Sequence, residues 1–404
     1  MERETLKQTF WDRLFFYPTD AHYIQALALN LGLKNGEEYR LFSVMGAQEL
    51  SNTLPLAVYR NFQAIGPNDP MFRFNLHLHT QASDGAFDVK ELLEQAATYA
   101  DAIASLVPND GMPALTIAVT DHDCMDNLLP VLKELTQHYE KYQNLRVVLG
   151  IEMGAVWKDQ SMQRVPMEYE LMFYGVNPFD ENIKLFLQLH QETRNKARDE
   201  IIRRLVERYP WADISKEDAL AQDPLLAKNQ GLGYAERLTR YAVSKVNDAS
   251  RNEEIKHLCH TINHDFNPPA ELDPYQNTDD IFDLWIQSGF GFLGVAHPAK
   301  INAGKFLSQS FIDTCNNRCL DAGQEMLWQF MLMLKNKGIR ALETNYQFDN
   351  AALQDAQKMI TGELAVNPNY GAYLWVKLFN DFKNLYGLLG TGGYDSHNKL
   401  ITTR

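Results

Sequence analysis

From residue 71 onward the chain alternates short apolar runs with longer amphipathic stretches. MFRFNLHLH (71–79) reads as a strand, and DVKELLEQAATYADAIASLV (88–107) repeats its apolar positions at helical spacing. LTIAVTDHD (115–123) is strand-like, LLPVLKELTQHYEKY (128–142) helix-like, and LRVVLGIEMG (145–154) and YELMFYGVNP (169–178) strand-like again. Short apolar runs bounded by polar ends, interleaved with helices, predict an α/β sheet or barrel with parallel strands. The pattern changes after Pro178. Residues 181–288 are mostly helical and heavily charged, as in LHQETRNKARDEIIRRLVERYP. Strand signals return in GFGFLGVAHPAK, IRALETNY and LYGLLGTGGYDSH. The expected organisation is therefore a mainly helical N-terminal extension (1–70), a first barrel part (71–180), a helical insertion that caps it (181–288) and a second barrel part (289–404).

Composition narrows the class without naming a function. At 45% hydrophobic and 22% charged residues the chain is ordinary for a folded soluble protein. No apolar run has the length of a membrane span, and the opening MERETLKQTF lacks the apolar centre of a secretory signal. Four cysteines in 404 residues predict reduced thiols in a cytoplasmic protein and no disulfide scaffold. A net charge of −14 disfavours long nucleic acids as partners. It leaves room for a small anionic substrate, because a bound metal can invert the local field. Nothing in the sequence speaks to the oligomeric state.

The candidate chemistry lies where the apolar runs stop. On alternating faces of the first strand, Leu76 and Leu78 point one way and His77 and His79 the other. Asp84 follows in a Ser-Asp-Gly turn. The second strand ends in Asp121, His122 and Asp123, and LRVVLGIEMG carries Glu152 near its end. FLGVAHPAK carries His297, and GLLGTGGYDSH ends in Asp395 and His397. In barrels of alternating strand and helix the carboxyl ends of the strands converge on one face, which holds the chemistry. Imidazole and carboxylate together suit Zn, Mn or Fe. No G-x-S-x-G elbow and no P-loop signature is present.

The ordered set H-x-H-T with S-D-G, T-D-H-D, G-I-E, A-H-P and G-x-D-x-H resembles the motifs of the PHP superfamily, named for polymerase and histidinol phosphatase. The resemblance covers residues 71–180 and 291–404. It is nearest to the subgroup that removes phosphate from nucleotides such as nucleoside 3′,5′-bisphosphates. That likeness implies a distorted (β/α)7 barrel with two or three divalent ions, Mn, Zn or Fe, in its mouth. It implies that His77, His79, Glu152 and Asp395 hold one ion, Glu152 and His297 a second, and Asp84, His122 and His397 a third. In the strand after G-I-E the family places a further histidine, and here Met172 occupies that position. Glu170, two residues earlier on the same face, either supplies an oxygen ligand or faces solvent and leaves the second site weak.

The implied activity is metal-dependent hydrolysis of a phosphomonoester on a small metabolite, a nucleotide by resemblance. A metal-activated hydroxide, with no side-chain nucleophile, makes the attack. The same site could act as a 5′-3′ exonuclease on short oligonucleotides, or serve as a non-catalytic metal-binding module. Arg194 and Arg198, at i and i+4 of the first insertion helix, could grip phosphate or form a solvated face. Three features carry no such weight. GFGFLG (289–294) precedes a strand and opens no helix, so it fails the dinucleotide pattern. His257, Cys259, His260 and His264 in HLCHTINH read as a helical cluster. Cys315 and Cys319 read as packed thiols.

Overall fold

The computed structural model describes residues 74–106, 114–157, 167–176, 178, 180–231, 233–264, 268–288, 291–298, 329–346, 379, 382–383, 385–393, 395 and 397. The N-terminal extension and the pair Cys315 and Cys319 lie outside the described residues. Seven strands form a barrel-shaped sheet: β1 (Phe74–Leu78), β2 (Leu115–Val119), β3 (Leu145–Trp157), β4 (Met167–Tyr174), β6 (Phe292–Val295), β7 (Ala341–Tyr346) and β8 (Leu389–Gly393). A two-residue strand β5 (Gln276–Asn277) pairs with β3 off this path. β1 and β8 end the hydrogen-bonded path and stand side by side, so the ring is nearly closed.

Sequence explains the strands' direction. β1, β2 and β3 run parallel, separated by helices α1 (Val89–Leu106) and α2 (Leu128–Gln137). β2 is buried along its whole length, as a parallel strand covered on both faces must be. β4 departs from the expected all-parallel order, running antiparallel to both β3 and β6. The cause is the short link at 158–166, which is below the length of a parallel crossover. This reversal brings the first half of β4, with Glu170, beside the far end of β3, where Gly154 pairs with Glu170.

The barrel core joins the apolar faces of α1 (Leu93, Ala96, Ala100) and α2 (Val131, Leu135) to β2, β3 and β4. Each buried Leu or Val side chain there contributes about 1.5–3 kcal/mol. A second apolar core lies among α3 (Glu181–Arg208), α6 (Tyr234–Val246) and α7 (Asn252–His264). Helices α4 (Lys216–Gln222) and α5 (Pro224–Lys228) lie between α3 and α6 in the chain. The long α3 links the two cores. Asp180 caps it by accepting from Asn182 and Ile183 amides. Its 28 residues span about 42 Å. Ile183 and Leu187 pack into the barrel, whereas Ala197, Ile201 and Leu205 pack into the cap. Chain returning from the cap meets the barrel before residue 289, because β5 pairs with β3 and Ile281 and Phe282 of α8 (Thr278–Ser288) enter the barrel core.

Cap turns follow local chemistry. Ser215 caps α4 through the Asp218 amide, and Asp223 caps α5 ahead of a first-turn proline. Asn229 ends α5 in the left-handed region at φ 48°, a conformation Asn tolerates. Cys259 is fully buried in the cap core, and burial pushes its thiol up to about 12. His260 stands 3.8 Å from a carboxylate oxygen of Glu236. Of the HLCHTINH cluster, Cys259 is thus part of the cap's packing, while His257 is exposed.

Candidate metal centre

All nine sequence-predicted ligands meet at one mouth of the barrel. β1 delivers His77 and His79, both buried. Behind them the Ser-Asp-Gly turn folds back on the strand. A Cβ on Gly85 would lie 2.3 Å from the His79 carbonyl oxygen, so only glycine permits that approach. The turn places Asp84 Oδ1 3.9 Å from His79 Nδ1, 3.8 Å from His122 Nε2 and 3.3 Å from His397 Nε2. Asp121 holds the turn. It is fully buried and accepts from the Thr80 amide at 2.7 Å, the Thr80 hydroxyl at 2.7 Å, the Ser83 hydroxyl at 2.5 Å and the Asn127 side chain.

Glu152 is the centre. β3 runs past the end of β2, and His122 bridges it there. Glu152 Oε2 lies 3.0 Å from His77 Nε2, 3.2 Å from His79 Nε2 and 3.1 Å from His122 Nδ1. Its Oε1 lies 3.1 Å from His297 Nε2. Asp395 Oδ1 is 3.5 Å from His77 Nε2, 3.3 Å from His79 Nε2 and 3.4 Å from His397 Nδ1. Glu170 Oε2 is 3.0 Å from His297 Nε2. The imidazoles of His79 and His397 stack at 4.2 Å. Two of these residues have left-handed backbones, Asp395 at φ 45° and His297 at φ 22°. Such strain concentrates at functional sites.

Three overlapping groups follow from these distances: His77, His79, Glu152 and Asp395; His79, Asp84, His122 and His397; and His122, Glu152 and Glu170. Each brings its ligand atoms within 4.8 Å of one another and could hold a metal ion. Glu170 therefore lies in the third group, with His297 against it, while Met172 is buried two residues on. The charges agree with this grouping. Burial opposes ionisation of Glu152, but His77 and His122 hold its carboxyl well below the usual range. Burial likewise works against Asp395 and Asp84, yet His77 and His79 lower the first and His397 and His122 the second. For Glu170, His297 and His122 outweigh both burial and Glu152. On the imidazole side, burial resists protonation of His77, and Glu152, Glu343 and Asp395 raise its pKa well above the ordinary value. His79 is raised against burial by Asp395 and Glu152.

A divalent cation fits this set. His77 Nε2, both ring nitrogens of His79 and Glu152 Oε2 are buried without a well-aligned hydrogen bond, although His77 Nε2 and His79 Nε2 stand 3.0 and 3.2 Å from Glu152 Oε2. Buried polar atoms without hydrogen bonds are costly and uncommon. A cation at their focus would satisfy them together and displace the protons that otherwise compensate the carboxylates.

The two arginines separate. Arg194 is fully buried, donates from Nε to the Asn229 carbonyl at 3.0 Å and sets Nη1 3.4 Å from Asp123 Oδ2, next in sequence to His122. Arg198 spends its guanidinium on the Leu226 carbonyl and Asp199. Above the barrel mouth the cap encloses a cavity of about 220 Å³. Ser83, Asp84, His122 and Glu170 line it from the barrel; Lys228, Asn229, Tyr234 and Arg237 line it from the cap. Gly231, at φ 71°, rests against the His122 ring, where a Cβ would lie 3.2 Å away. Sequence reasoning missed Lys228 and Arg237, which belong to no motif, and Glu343, a lone acid in an apolar run.

β8 is pressed tightly on the ligand strand. A Cβ on Gly393 would lie 2.3 Å from His77 Cβ and 2.9 Å from Glu343 Oε1. Gly393→Ala is expected to displace His77 and to destabilise the protein by about 1–3 kcal/mol, the usual cost of overpacking. Thermal unfolding checks this; an unchanged midpoint would mean that β8 does not bear on His77.

No family model matches the chain, and no curated protein matches it. Among solved structures it is similar to a Bifidobacterium adolescentis protein that carries the name of a metal-dependent phosphoesterase. That pair is 18% identical with TM-score 0.47, covering 80% of this chain and 87% of that one. It is also similar to an amidohydrolase from Chromobacterium violaceum, whose structure holds sulfate and no metal. Here identity is 16% and TM-score 0.44, covering 81% and 88%.

Proposed function

We propose that the protein is a metal-dependent phosphoesterase that removes phosphate from a small metabolite, a nucleotide by preference. The observation that carries this reading is Glu152, with two oxygens within 3.0–3.2 Å of four imidazoles. A carboxylate so placed suits a shared ligand of adjacent ions. His77, His79 and Asp395 would complete one site, His122 and Glu170 a second with His297 against it, and His79, Asp84, His122 and His397 would form a third. Ions in such a cluster supply an acidified water and neutralise phosphate oxygens.

The chain's own residues do the rest. Asp121 immobilises the turn that aims Asp84 at the cluster. Cap and barrel together enclose the cavity beside it, limiting bulk water. Lys228 and Arg237, the latter 3.3 Å from Asp223, put two cations on the cap wall of that cavity. Such a wall suits an anionic substrate. Lys228 also donates to the Gln81 carbonyl, which ties the cap to the barrel mouth.

The test is phosphate release by metal-stripped protein reloaded with Mn, Zn or Fe. The panel contains nucleoside monophosphates, nucleoside 3′,5′-bisphosphates, short oligonucleotides and histidinol phosphate. Release from a mononucleotide that requires both metal and His77 is expected. Preference for oligonucleotides would make the protein an exonuclease. Stoichiometric metal with no release from any member would make it a binding module.

A further inference from the structure

Glu343 belongs to none of the three ligand groups, yet it touches His77 of one and the backbone of His297, which stands against Glu170 of another. It sits on β7, where Leu342 pairs with Val295 of β6 and Glu343 itself with Thr391 of β8. Only 1% of its surface is exposed. Both of its oxygens lie 3.2 Å from Nδ1 of His77 on β1. Its Oε2 also accepts the backbone amide of His297 at 2.7 Å. One carboxylate thus joins the side chain of His77 on β1 to the backbone of His297 just after β6.

Each contact has a consequence. An ionised carboxylate only accepts hydrogen bonds, so Nδ1 of His77 must carry the proton it shares with Glu343. Nε2, the nitrogen 3.0 Å from Glu152, is then the one directed into the cluster. A histidine whose outer nitrogen is held by a carboxylate is fixed in tautomer and ring orientation and is a more basic ligand. At His297 the backbone has φ 22°, a conformation a non-glycine residue keeps only when its surroundings hold it. The Glu343 bond to its amide is such a hold. A second comes from the neighbouring Ala296 amide, which donates to the Glu170 carbonyl at 3.0 Å. Burying a charged group beside Leu342 and Val295 is unfavourable unless it is satisfied, and these contacts satisfy it.

We infer that Glu343 is a positioning residue that sets the tautomer of His77 and the backbone of His297, and so couples two metal sites through one side chain. The inference rests on the reading of the cluster as a metal centre; it does not require that the reaction be phosphate hydrolysis.

Glu343→Gln tests it, because glutamine keeps the volume and loses the charge and the second acceptor oxygen. Mn and Zn affinities are measured by chelator competition on the full chain, and the His77 tautomer by nitrogen chemical shifts in metal-free protein at a pH high enough for the ring to be neutral. Metal affinity is expected to fall roughly 10- to 100-fold, with His77 shifting from its single Nδ1–H form to a mixture. Excess metal should restore turnover with KM unchanged. Glu343→Ala should fall further; if it fails to fold, the glutamine variant decides alone. Unchanged affinity, or lowered affinity with His77 still wholly Nδ1–H, overturns the inference. Wild-type protein that binds metal but hydrolyses no phosphomonoester overturns the proposed function and leaves this comparison intact. A wild type that takes up no divalent ion overturns both.

Discussion

Glu152→Gln is expected to lose most of its bound metal and to lower phosphate release by roughly a thousandfold or more. Metal ions in a hydrolase supply several kcal/mol of transition-state stabilisation, and each 1.36 kcal/mol is about tenfold in rate. Glu152 is the residue through which two of the three ligand groups pass. Glutamine matches its shape but presents one oxygen in place of two and removes a negative charge from a fully buried position. Neighbouring Asp395 and Glu170 cannot replace it. Asp395 serves His77, His79 and His397, and Glu170 serves His297. The variant should retain metal only in the group of His79, Asp84, His122 and His397, which does not include Glu152. Metal content of the purified variant, read alongside activity, checks this. Full metal content with near-normal turnover would remove Glu152 from the centre of the site.

The nine residues that meet at the barrel mouth were legible because imidazoles and carboxylates inside apolar runs are conspicuous, and because strand ends share one face. His77 and His79 needed only the two-residue period of a strand. Glu170 was legible from the same period, one step before Met172. Glu343 was not, because a single acid in ALETNY has no local partner; its partner His77 lies 266 residues away in sequence. Arg194 and Arg198 illustrate a different limit. Helical spacing places both on one side of α3, but that helix leaves the barrel between them. Arg194 consequently lies over Asp123, and Arg198 meets Leu226 and Asp199 in the cap. Lys228 and Arg237 acquire their meaning only from the fold of α5 and α6 against the barrel mouth. No periodicity separates them from other charges of the insertion.

Arg194→Met is expected to destabilise the protein by about 3–5 kcal/mol, the cost of leaving one partner of a buried ion pair uncompensated. Arg194 has no exposed surface, and Asp123 has 3%. The pair makes a charge contact at 3.4 Å, while the Arg194 Nη atoms make no hydrogen bond. Its Nε bond to the Asn229 carbonyl fixes the guanidinium from the cap side. Asp123 is anchored from the barrel side by Gln276 at 2.8 Å and by its own amide on the Glu152 carbonyl at 2.8 Å. Burial pushes the Asp123 carboxyl up, and Arg194 opposes that push. Methionine fills similar volume but offers no charge, so Asp123 must then bury its ionised form alone or take up a proton. Asp123→Asn removes the stranded charge, so the double variant should recover part of the loss, with a coupling of about 0.5–3 kcal/mol as for contacting pairs. Denaturant unfolding of the wild type, both single variants and the double variant closes the cycle. A single variant within about 0.5 kcal/mol of the wild type, or a double variant no more stable than Arg194→Met, would show that the cap is held to the barrel without this pair.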